Sequence, residues 1–176
     1  MIELIHVNHF TELNSELRQI YEDAFPVYER RNWSQLTELL ANRLFILNEI
    51  YFGDQLIGLI SFWNLDEFIF VEHFAIHESE RSKGFGTQVI NQLLHETTVP
   101  VILEVEMPHS EAARRRIKFY KHLKFKICSG IYFQPPYSTG QTNVEMLLMS
   151  YPEKAHPDTF STVKSKIHQT VYQYYD

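Results

Sequence analysis

A glycine-containing loop with two cations is the part of this sequence whose residue types most clearly indicate chemistry. It reads Arg81-Ser82-Lys83-Gly84-Phe85-Gly86, after an apolar stretch and before a helical pattern. Glycine lets the backbone turn tightly and approach a ligand with no Cβ in the way. The first amides of a helix have no partners inside the helix, and the helix dipole favours negative charge there. With Arg81 and Lys83 beside such amides, the loop is predicted to cradle a pyrophosphate.

Two well-known phosphate-binding motifs are excluded at this loop. A Walker loop needs Gly-Lys-Ser/Thr at a spacing that is absent here. A dinucleotide fingerprint needs a third glycine at position 89, which is valine in this sequence. A Gly-x-Gly pair also occurs in ordinary helix starts, so a capping turn without a ligand stays open as an alternative.

The composition excludes several classes of function. The net charge of −6 argues against a general affinity for nucleic acid, although seven of the sixteen basic residues fall between positions 114 and 126. A single cysteine, Cys128, excludes an internal disulfide, and the nine histidines show no metal-binding spacing, so no metal is expected. The sequence has no signal-peptide pattern and no apolar run long enough to span a bilayer. A cytoplasmic protein with no membrane partner is therefore expected.

The elements around the loop predict a single α/β domain over residues 1–176. Alternating apolar residues and turn signals predict about seven strands. Helical spacing predicts two early helices, capped by Thr11 and Ser34, and one helix after the glycine loop. The predicted strands are 2–7, 44–52, 56–63, 68–77, 101–105, 125–133 and 142–150, and further helices are predicted at 111–124 and from about 157 to 172.

Two segments resemble motifs of the GNAT N-acetyltransferase superfamily. Ala75-Ile76 followed by Arg81-x-x-Gly84-x-Gly86 resembles its motif A, and Phe119-Tyr120-Lys121-His122-Leu123-Lys124-Phe125 resembles its motif B. The order of elements also agrees, so the resemblance covers nearly all of the chain. It implies a mixed, splayed β-sheet with helices packed on both faces. It also implies acetyl-CoA-dependent transfer of an acetyl group to a primary amine, by direct attack on the thioester.

The same resemblance implies how acetyl-CoA is held. Its arm would lie between the strand that ends at Ile76 and the strand that starts near Val101. Backbone groups of Phe74 and Ile76 would bond the pantetheine amides, and the loop amides, helped by Arg81 and Thr87, would hold the pyrophosphate. The implied contacts are Phe74, Ala75, Ile76, Arg81, Ser82, Lys83, Gly84, Phe85, Gly86 and Thr87.

Three residues are candidates for the chemistry of acetyl transfer, which needs a neutral amine and a proton for the leaving thiolate. Glu72 lies two residues before Phe74, so it shares that residue's face of the strand and is the first candidate for the base. Glu104, in an otherwise apolar strand, is the second, because a carboxylate there is either near the cleft or expensively buried. Tyr120 matches the family's usual general acid. Each also has a structural reading: a salt bridge for Glu72, substrate orientation for Glu104, core packing for Tyr120.

Two positions depart from the family pattern. Lys124 stands where glycine usually precedes Phe125, so a less sharp turn is expected there. Ala113 stands where an asparagine is common, which puts one polar contact to the pantetheine arm in doubt. Glu29-Arg30-Arg31 and Gln134-Pro135-Pro136-Tyr137 are similar to a bacterial subgroup, and the second of these segments either walls the acceptor site or forms a plain hairpin loop.

Other functions stay open beside N-acetylation. A non-catalytic acyl-CoA-binding or sensing module would keep the cradle but lack turnover, and an interaction scaffold would bind no CoA. The sequence does not identify the acceptor amine, which belongs to a small molecule or a peptide. The aromatic tail at 171–175 leaves a homodimer open.

Overall fold

The computed structural model describes residues 1–9, 14–152 and 160–174 of the chain. These residues form two compact units. The first comprises the described parts of Met1–Asn64 and Val71–Glu96, and the second comprises Leu65–Phe70 and the described parts of Thr97–Asp176. The single-domain prediction stays a prediction.

The first unit is built on four strands in the order β1-β2-β3-β4, and β4 contributes its residues from Val71 onward. Strands β1 and β2, and β2 and β3, pair antiparallel. Helix α1 packs on β3, and α3 packs on β1. The elements are β1 (Ile2–His6), α1 (Ser15–Ala24), α2 (Trp33–Leu39), β2 (Phe45–Phe52), β3 (Gln55–Asn64), β4 (Ile69–Ile76) and α3 (Phe85–Glu96).

The second unit is organised around β8, which pairs antiparallel with β5, β6 and β7. Helix α4 packs on β5, and a π-helical turn at His168–Tyr172 follows α5 directly. The elements are β5 (Val101–Glu106), α4 (Glu111–His122), β6 (Lys126–Ile127), β7 (Tyr132–Gln134), β8 (Val144–Tyr151) and α5 (Phe160–Ile167). Buried apolar residues form the core of this unit, among them Ile102, Val105, Ile117, Phe125, Leu148 and Val163.

The predicted α/β fold class is confirmed, with eight strands where the sequence predicts about seven. The single strand predicted over 125–133 is wrong, because the structure divides it into β6 and β7. Gly130, with φ of 154°, lies between them, and a Cβ there would come within 2.5 Å of the Phe160 ring. Gly130 thus lies in the segment between the two strands, where the Phe160 ring leaves no room for a side chain.

The predicted helix starts are also corrected. Asn14 caps α1, and its side chain accepts a hydrogen bond from the Leu17 amide; Thr11 lies outside the described residues. Asn32, rather than Ser34, caps α2 in a reciprocal capping box with Gln35. The predicted start of the last helix near residue 157 lies outside the described residues. Within the described ranges, no helix is both long and apolar enough to cross a membrane.

Candidate active site

The glycine loop joins the end of β4 to the start of α3. A short 3-10 turn at Glu78–Glu80 precedes it, and α3 begins at Phe85. Ser82 and Gly84 have φ of 64° and 85°, so the backbone turns sharply twice within three residues. The Gln88 amide bonds to the Gly84 carbonyl at 3.2 Å, which makes Gly84 the residue that caps the helix. The amides of the first turn therefore have no partner inside the helix and face the end of the element.

The cations of the loop are tied to its own framework. The Arg81 Nε donates to the Ile76 carbonyl at 2.9 Å, and Lys83 Nζ lies 3.0 Å from Glu80 Oε2. The hydrogen bond from Lys83 lowers the pKa of the Glu80 carboxyl. Arg81, Ser82, Lys83, Gly84 and Thr87 are all exposed. The loop thus presents the exposed Arg81 and the Lys83–Glu80 ion pair to solvent at the start of a helix.

Phe85 has a different place from its neighbours in the loop. Its side chain is buried, and its ring lies 4.7 Å from the Phe52 ring, centroid to centroid. This contact fixes the first turn of α3 against β2. Any contribution of Phe85 to ligand binding is thereby limited to its backbone.

The backbone of Phe74, Ala75 and Ile76 lies at the end of β4, where β3 approaches it closely. A Cβ at Gly58 of β3 would lie 2.3 Å from the Ala75 carbonyl oxygen. The register of β2 and β3 shifts beside Gly58, and the His77 amide bonds to the Ile57 carbonyl at 2.7 Å. Gly58 is therefore required for this approach, and a glycine inside an apolar β-prone run was the signal for it.

Glu72 lies in a buried ion pair. Its side chain has no exposed surface, and that of Arg31 is 10% exposed. Arg31 Nε donates to Glu72 Oε1 at 2.9 Å, and Trp63 Nε1 donates to Oε2 at 2.7 Å. Arg31 also lies over the Trp63 ring, 5.9 Å from its centroid. Both carboxylate oxygens thus have strong donors, in a position closed to solvent.

His73 is buried on the other side of the same strand. Its side chain packs edge-on against the rings of Tyr21 and Phe25, and its Nε2 lies 3.3 Å from the Glu29 carbonyl. Burial lowers the pKa of His73 to about 4, and Arg31 adds to this while Glu72 opposes it. The residue is neutral at physiological pH. This buried placement among aromatic rings indicates a role of His73 in packing.

Glu104, on β5, accepts hydrogen bonds from two phenols. Tyr132 on β7 donates to Glu104 Oε1 at 2.7 Å, and Tyr172 in the π-helical turn donates to the same oxygen at 2.8 Å. Tyr172 is also bonded to Gln134 and lies 3.2 Å from the Tyr137 hydroxyl. As whole residues both Glu72 and Glu104 are half-buried, and the Glu72 side chain itself has no exposed surface. Gln134, the last residue of β7, and Tyr137, in the loop after it, are thus connected to a candidate catalytic carboxylate.

Tyr120 lies in the last turn of α4, where a capping motif holds it. The Phe125 amide bonds to the Tyr120 carbonyl at 3.0 Å, and the Lys124 amide bonds to the Lys121 carbonyl. The rings of Tyr120 and Phe125 lie 5.6 Å apart. These are the two hydrogen bonds and the apolar contact of a Schellman motif. Lys124 has φ of 70°, so the expectation of a less sharp turn there is wrong: lysine adopts the left-handed conformation that glycine usually provides.

The Tyr120 phenol is set up to keep its proton. The residue is 5% exposed, and no described residue provides its hydroxyl with a hydrogen-bond partner. Burial raises the pKa of Tyr120 well above its usual range; Arg116 opposes this rise and Glu106 adds to it. Ala113, the other departure from the family pattern, is buried, and its amide donates to Ser110 Oγ, which caps α4.

Sequence reasoning missed Arg31, Trp63, Tyr132 and Tyr172 as neighbours of the two carboxylates. Arg31 and Trp63 are 41 and 9 residues from Glu72, and Tyr172 is 68 residues from Glu104. The contact between Trp63 and Glu72 could have been suggested only by the pairing of β3 with β4, which the sequence alone does not give. In the described ranges, no group of three or more His, Cys, Asp and Glu side chains could hold a metal ion.

The comparison with known families bears on this geometry. The model of the Acetyltransferase (GNAT) family matches residues 10–125, more than half of the chain, including both candidate motifs. This chain belongs to the GNAT acetyltransferase family.

Individual relatives agree with this family membership. A Bacteroides thetaiotaomicron protein assigned to the GNAT acetyltransferases is 31% identical, with 98% of both chains covered and a TM-score of 0.85. YjbC of Bacillus subtilis (strain 168), assigned as an acetyltransferase, is 25% identical over 158 residues, which is 86% of this chain and 79% of YjbC. A GNAT protein of Elizabethkingia anophelis, solved with acetyl-CoA bound, shares the fold at 14% identity, with a TM-score of 0.60 over 85% of this chain and 96% of its own.

Proposed function

We propose that this GNAT protein transfers the acetyl group of acetyl-CoA to a primary amine of a small molecule or a peptide. The observation that carries the proposal is the loop from Arg81 to Gly84. It turns twice with positive φ, leads directly into α3 and presents the amides of the first helical turn beside the exposed Arg81 and Lys83, of which Lys83 is paired with Glu80. These are the features of a pyrophosphate cradle.

The residues that would hold acetyl-CoA follow from this loop. The amides of Lys83, Gly84, Phe85 and Gly86 would bind the pyrophosphate, with Arg81 and Thr87 beside them. Backbone groups of Phe74, Ala75 and Ile76 would bond the pantetheine arm. Gly58 supports this role, because it lets β3 lie against Ala75 without a side chain between them. Acetyl-CoA supplies the activated acyl carbon and a thiol as leaving group.

Glu104 is the carboxylate we propose as the base. As the amine nitrogen bonds to the acyl carbon and the carbon–sulfur bond breaks, the amine must lose one proton, and the departing thiolate must gain one. Glu104 Oε1 accepts hydrogen bonds from the Tyr132 and Tyr172 phenols, which orient the carboxylate. Glu72, the first candidate from the sequence, is closed to solvent and bonded through both oxygens. Burial and pairing therefore favour Glu104 over Glu72.

Tyr120 is the proposed acid that protonates the thiolate. Its phenol has a raised pKa, so it carries a proton throughout the neutral range. The Schellman motif at the end of α4 fixes the backbone from which the phenol projects. A core aromatic with no catalytic role is the alternative for this residue. Replacement by phenylalanine keeps the packing and removes only the proton donor, so turnover of Tyr120→Phe decides between them.

A non-catalytic acyl-CoA-binding module is the second candidate function. It is compatible with the loop and with the fold, and it makes no use of Glu104 or Tyr120. The two functions differ in one measurement, which is acetyl transfer to amines under conditions where CoA binding is already established.

The first experiment is thermal unfolding with acetyl-CoA, CoA, ATP or NADH in large excess. A ligand at about 100 times its dissociation constant stabilises a protein by about 2.7 kcal/mol. At roughly 2–4 °C per kcal/mol for a chain of this size, both CoA species should raise the midpoint by several degrees, and NADH should not. Absence of a shift with either CoA species would leave the loop as an ordinary helix start.

A matched pair of glycine variants locates the binding. Gly84 and Gly140 have φ of 85° and 88°, and a Cβ at either meets no atom within 4 Å. Alanine should therefore cost similar stability at both positions, because the backbone strain is the same. Only Gly84→Ala should weaken the CoA-induced shift. An equal loss in both variants would show that the shift does not report on this loop.

A further inference from the structure

The C-terminal π-helical turn places a tyrosine on the proposed base. Tyr172 is the last residue of this turn, and its hydroxyl donates to Glu104 Oε1 at 2.8 Å. The two residues are separated by 68 positions, so the contact depends on how the end of the chain folds. π-helical turns are rare and are often retained at functional positions.

The turn is anchored on both sides of Tyr172. His168 Nε2 is bonded to the Phe133 carbonyl of β7 at 3.0 Å, and its ring packs on that of Tyr132. Val171 is 2% exposed. The Tyr174 amide closes the turn on the His168 carbonyl, and Gln173 has φ of 53°. The position of the Tyr172 hydroxyl is therefore determined by the surrounding packing.

The hydrogen bonds that join Gln134, Tyr137 and Tyr172 point towards Glu104. Because the Tyr172 proton is given to the carboxylate, the Tyr137 hydroxyl must donate in the 3.2 Å contact with Tyr172. Gln134 Nε2 in turn donates to Tyr172 at 3.1 Å and to Tyr137 at 3.4 Å. A directed chain thus runs from Gln134 through Tyr137 and Tyr172 to Glu104, and its donors polarise one another.

We propose that Tyr172 is a positioning residue of the acetyl-transfer site, which orients Glu104 from the C-terminal turn with Gln134 and Tyr137 behind it. This inference rests on the proposed function, and in particular on Glu104 as the base. Two phenol donors on one oxygen hold the carboxylate in one rotamer and favour its ionised form. The C-terminal turn is thereby part of the catalytic machinery as well as of the fold.

The other ionisable groups near Glu104 belong to four elements. Tyr132 comes from β7 and His168 from the π-helical turn. Glu106 lies two residues along β5, on the same face as Glu104, and is paired with Arg116 of α4. Tyr120, also on α4, is affected by both members of that pair. Since Tyr172→Phe leaves all of these groups in place, a change in pH dependence reports on the lost phenol.

The test compares Tyr172→Phe with Tyr174→Phe in the full-length protein. Tyr174 lies two residues further on, and its ring packs on His168. In Tyr172→Phe, kcat should fall about tenfold, and the acidic limb of the kcat/KM profile should move to higher pH by about half a unit or more, because the carboxylate loses one donor. KM for acetyl-CoA and the CoA-induced thermal shift should not change. Tyr174→Phe should match the wild type in all four readouts.

The outcomes separate this inference from the proposed function. If Glu104→Gln abolishes turnover while Tyr172→Phe behaves like Tyr174→Phe, the role of Tyr172 is overturned and the acetyltransferase stands. A lower rate in Tyr172→Phe with an unmoved acidic limb indicates a purely structural role, and it also overturns the inference. If the wild type binds CoA but acetylates no amine, or if Glu104→Gln is fully active, the proposed function or its base fails, and the role of Tyr172 fails with it.

Discussion

Glu72 and Glu104 show how the surroundings of a carboxylate decide what it can do. Each glutamate lies in an apolar strand sequence, and both are candidates for a base by residue type. Glu72 is enclosed by an arginine and an indole, and Glu104 accepts hydrogen bonds from two phenols. Breaking a buried ion pair is strongly destabilising, because removing one member leaves the other charge buried and uncompensated.

The Glu72–Arg31 pair is expected to act on stability. Glu72→Gln leaves the guanidinium of Arg31 buried without a counter-charge and should lower the free energy of unfolding by about 3 kcal/mol. Glu111→Gln is the matched control, because it breaks the exposed Arg115–Glu111 pair, whose side chains are 70% and 76% exposed; its cost should stay below about 1 kcal/mol. Denaturant unfolding of both variants measures the difference.

Turnover of Glu72→Gln, measured where the variant is still folded, tests the assignment of the base. With Glu104 as the base, the acidic limb of the rate profile should stay in place. A folded Glu72→Gln that loses both turnover and the acidic limb would establish Glu72 as the base, as the sequence first suggests.

At the scale of elements, the end of α4 contains a lysine in a backbone conformation that is unfavourable for a residue with a side chain. Lys124 occupies the left-handed position of a Schellman motif, where a side chain costs about 1–2 kcal/mol. Lys124→Gly relieves this strain but adds backbone entropy to the unfolded chain, so a net gain of about 0.5–1 kcal/mol is expected. Lys118→Gly, at an exposed position inside the same helix, should instead lose about 1 kcal/mol.

Thermal unfolding of the two lysine variants checks these opposite signs. A destabilised Lys124→Gly would mean that the lysine side chain stabilises the folded state by more than the backbone strain at this position costs. Since Tyr120 and Phe125 belong to the same motif, the Lys124 variant should also keep the turnover of the wild type.

The elements that local sequence signals specify were predicted well, and those that depend on distant contacts were not. Alternation and turn residues place β2, β3 and β5 within one or two residues of their observed bounds. The segment between β6 and β7 contains Gly130, which lies against the ring of Phe160, 30 residues away, and no local pattern encodes this contact. The sequence prediction chose Thr11 and Ser34 in place of the observed caps Asn14 and Asn32, because Asn, Thr and Ser can all cap a helix.

The candidate site divides in the same way. The loop at 81–86 carries its chemistry in consecutive residues, so its turn and helix start follow from the sequence. Glu72, Glu104 and Tyr120 could be selected by type and spacing, but their partners come from other elements. Arg31, Trp63 and Tyr172 become neighbours only through tertiary packing, and it is these partners that distinguish the two carboxylates.

At the scale of the whole molecule, a buried neutral histidine couples folding to pH. His73 is 1% exposed, and burial lowers its pKa to about 4, whereas an unfolded histidine titrates near 6.5. Between these values the unfolded chain binds a proton that the folded chain does not. The free energy of unfolding should therefore fall as the pH decreases through this window, and this contribution should be fully present above about pH 7.

The size of this effect can be isolated with His73→Phe, which keeps an aromatic ring against Tyr21 and Phe25. Between pH 7 and pH 5 the wild type should lose about 2 kcal/mol more than this variant, because only the wild-type histidine protonates on unfolding. His122→Gln, at an exposed position, should keep the pH dependence of the wild type. Denaturant unfolding at the two pH values gives the three differences. His73→Phe could instead be less stable than the wild type but equally dependent on pH. That result would mean that nearby charged groups, above all Glu72 and Arg31, keep the proton affinity of His73 ordinary despite its burial. The acid sensitivity of the fold would then have to come from the carboxylates.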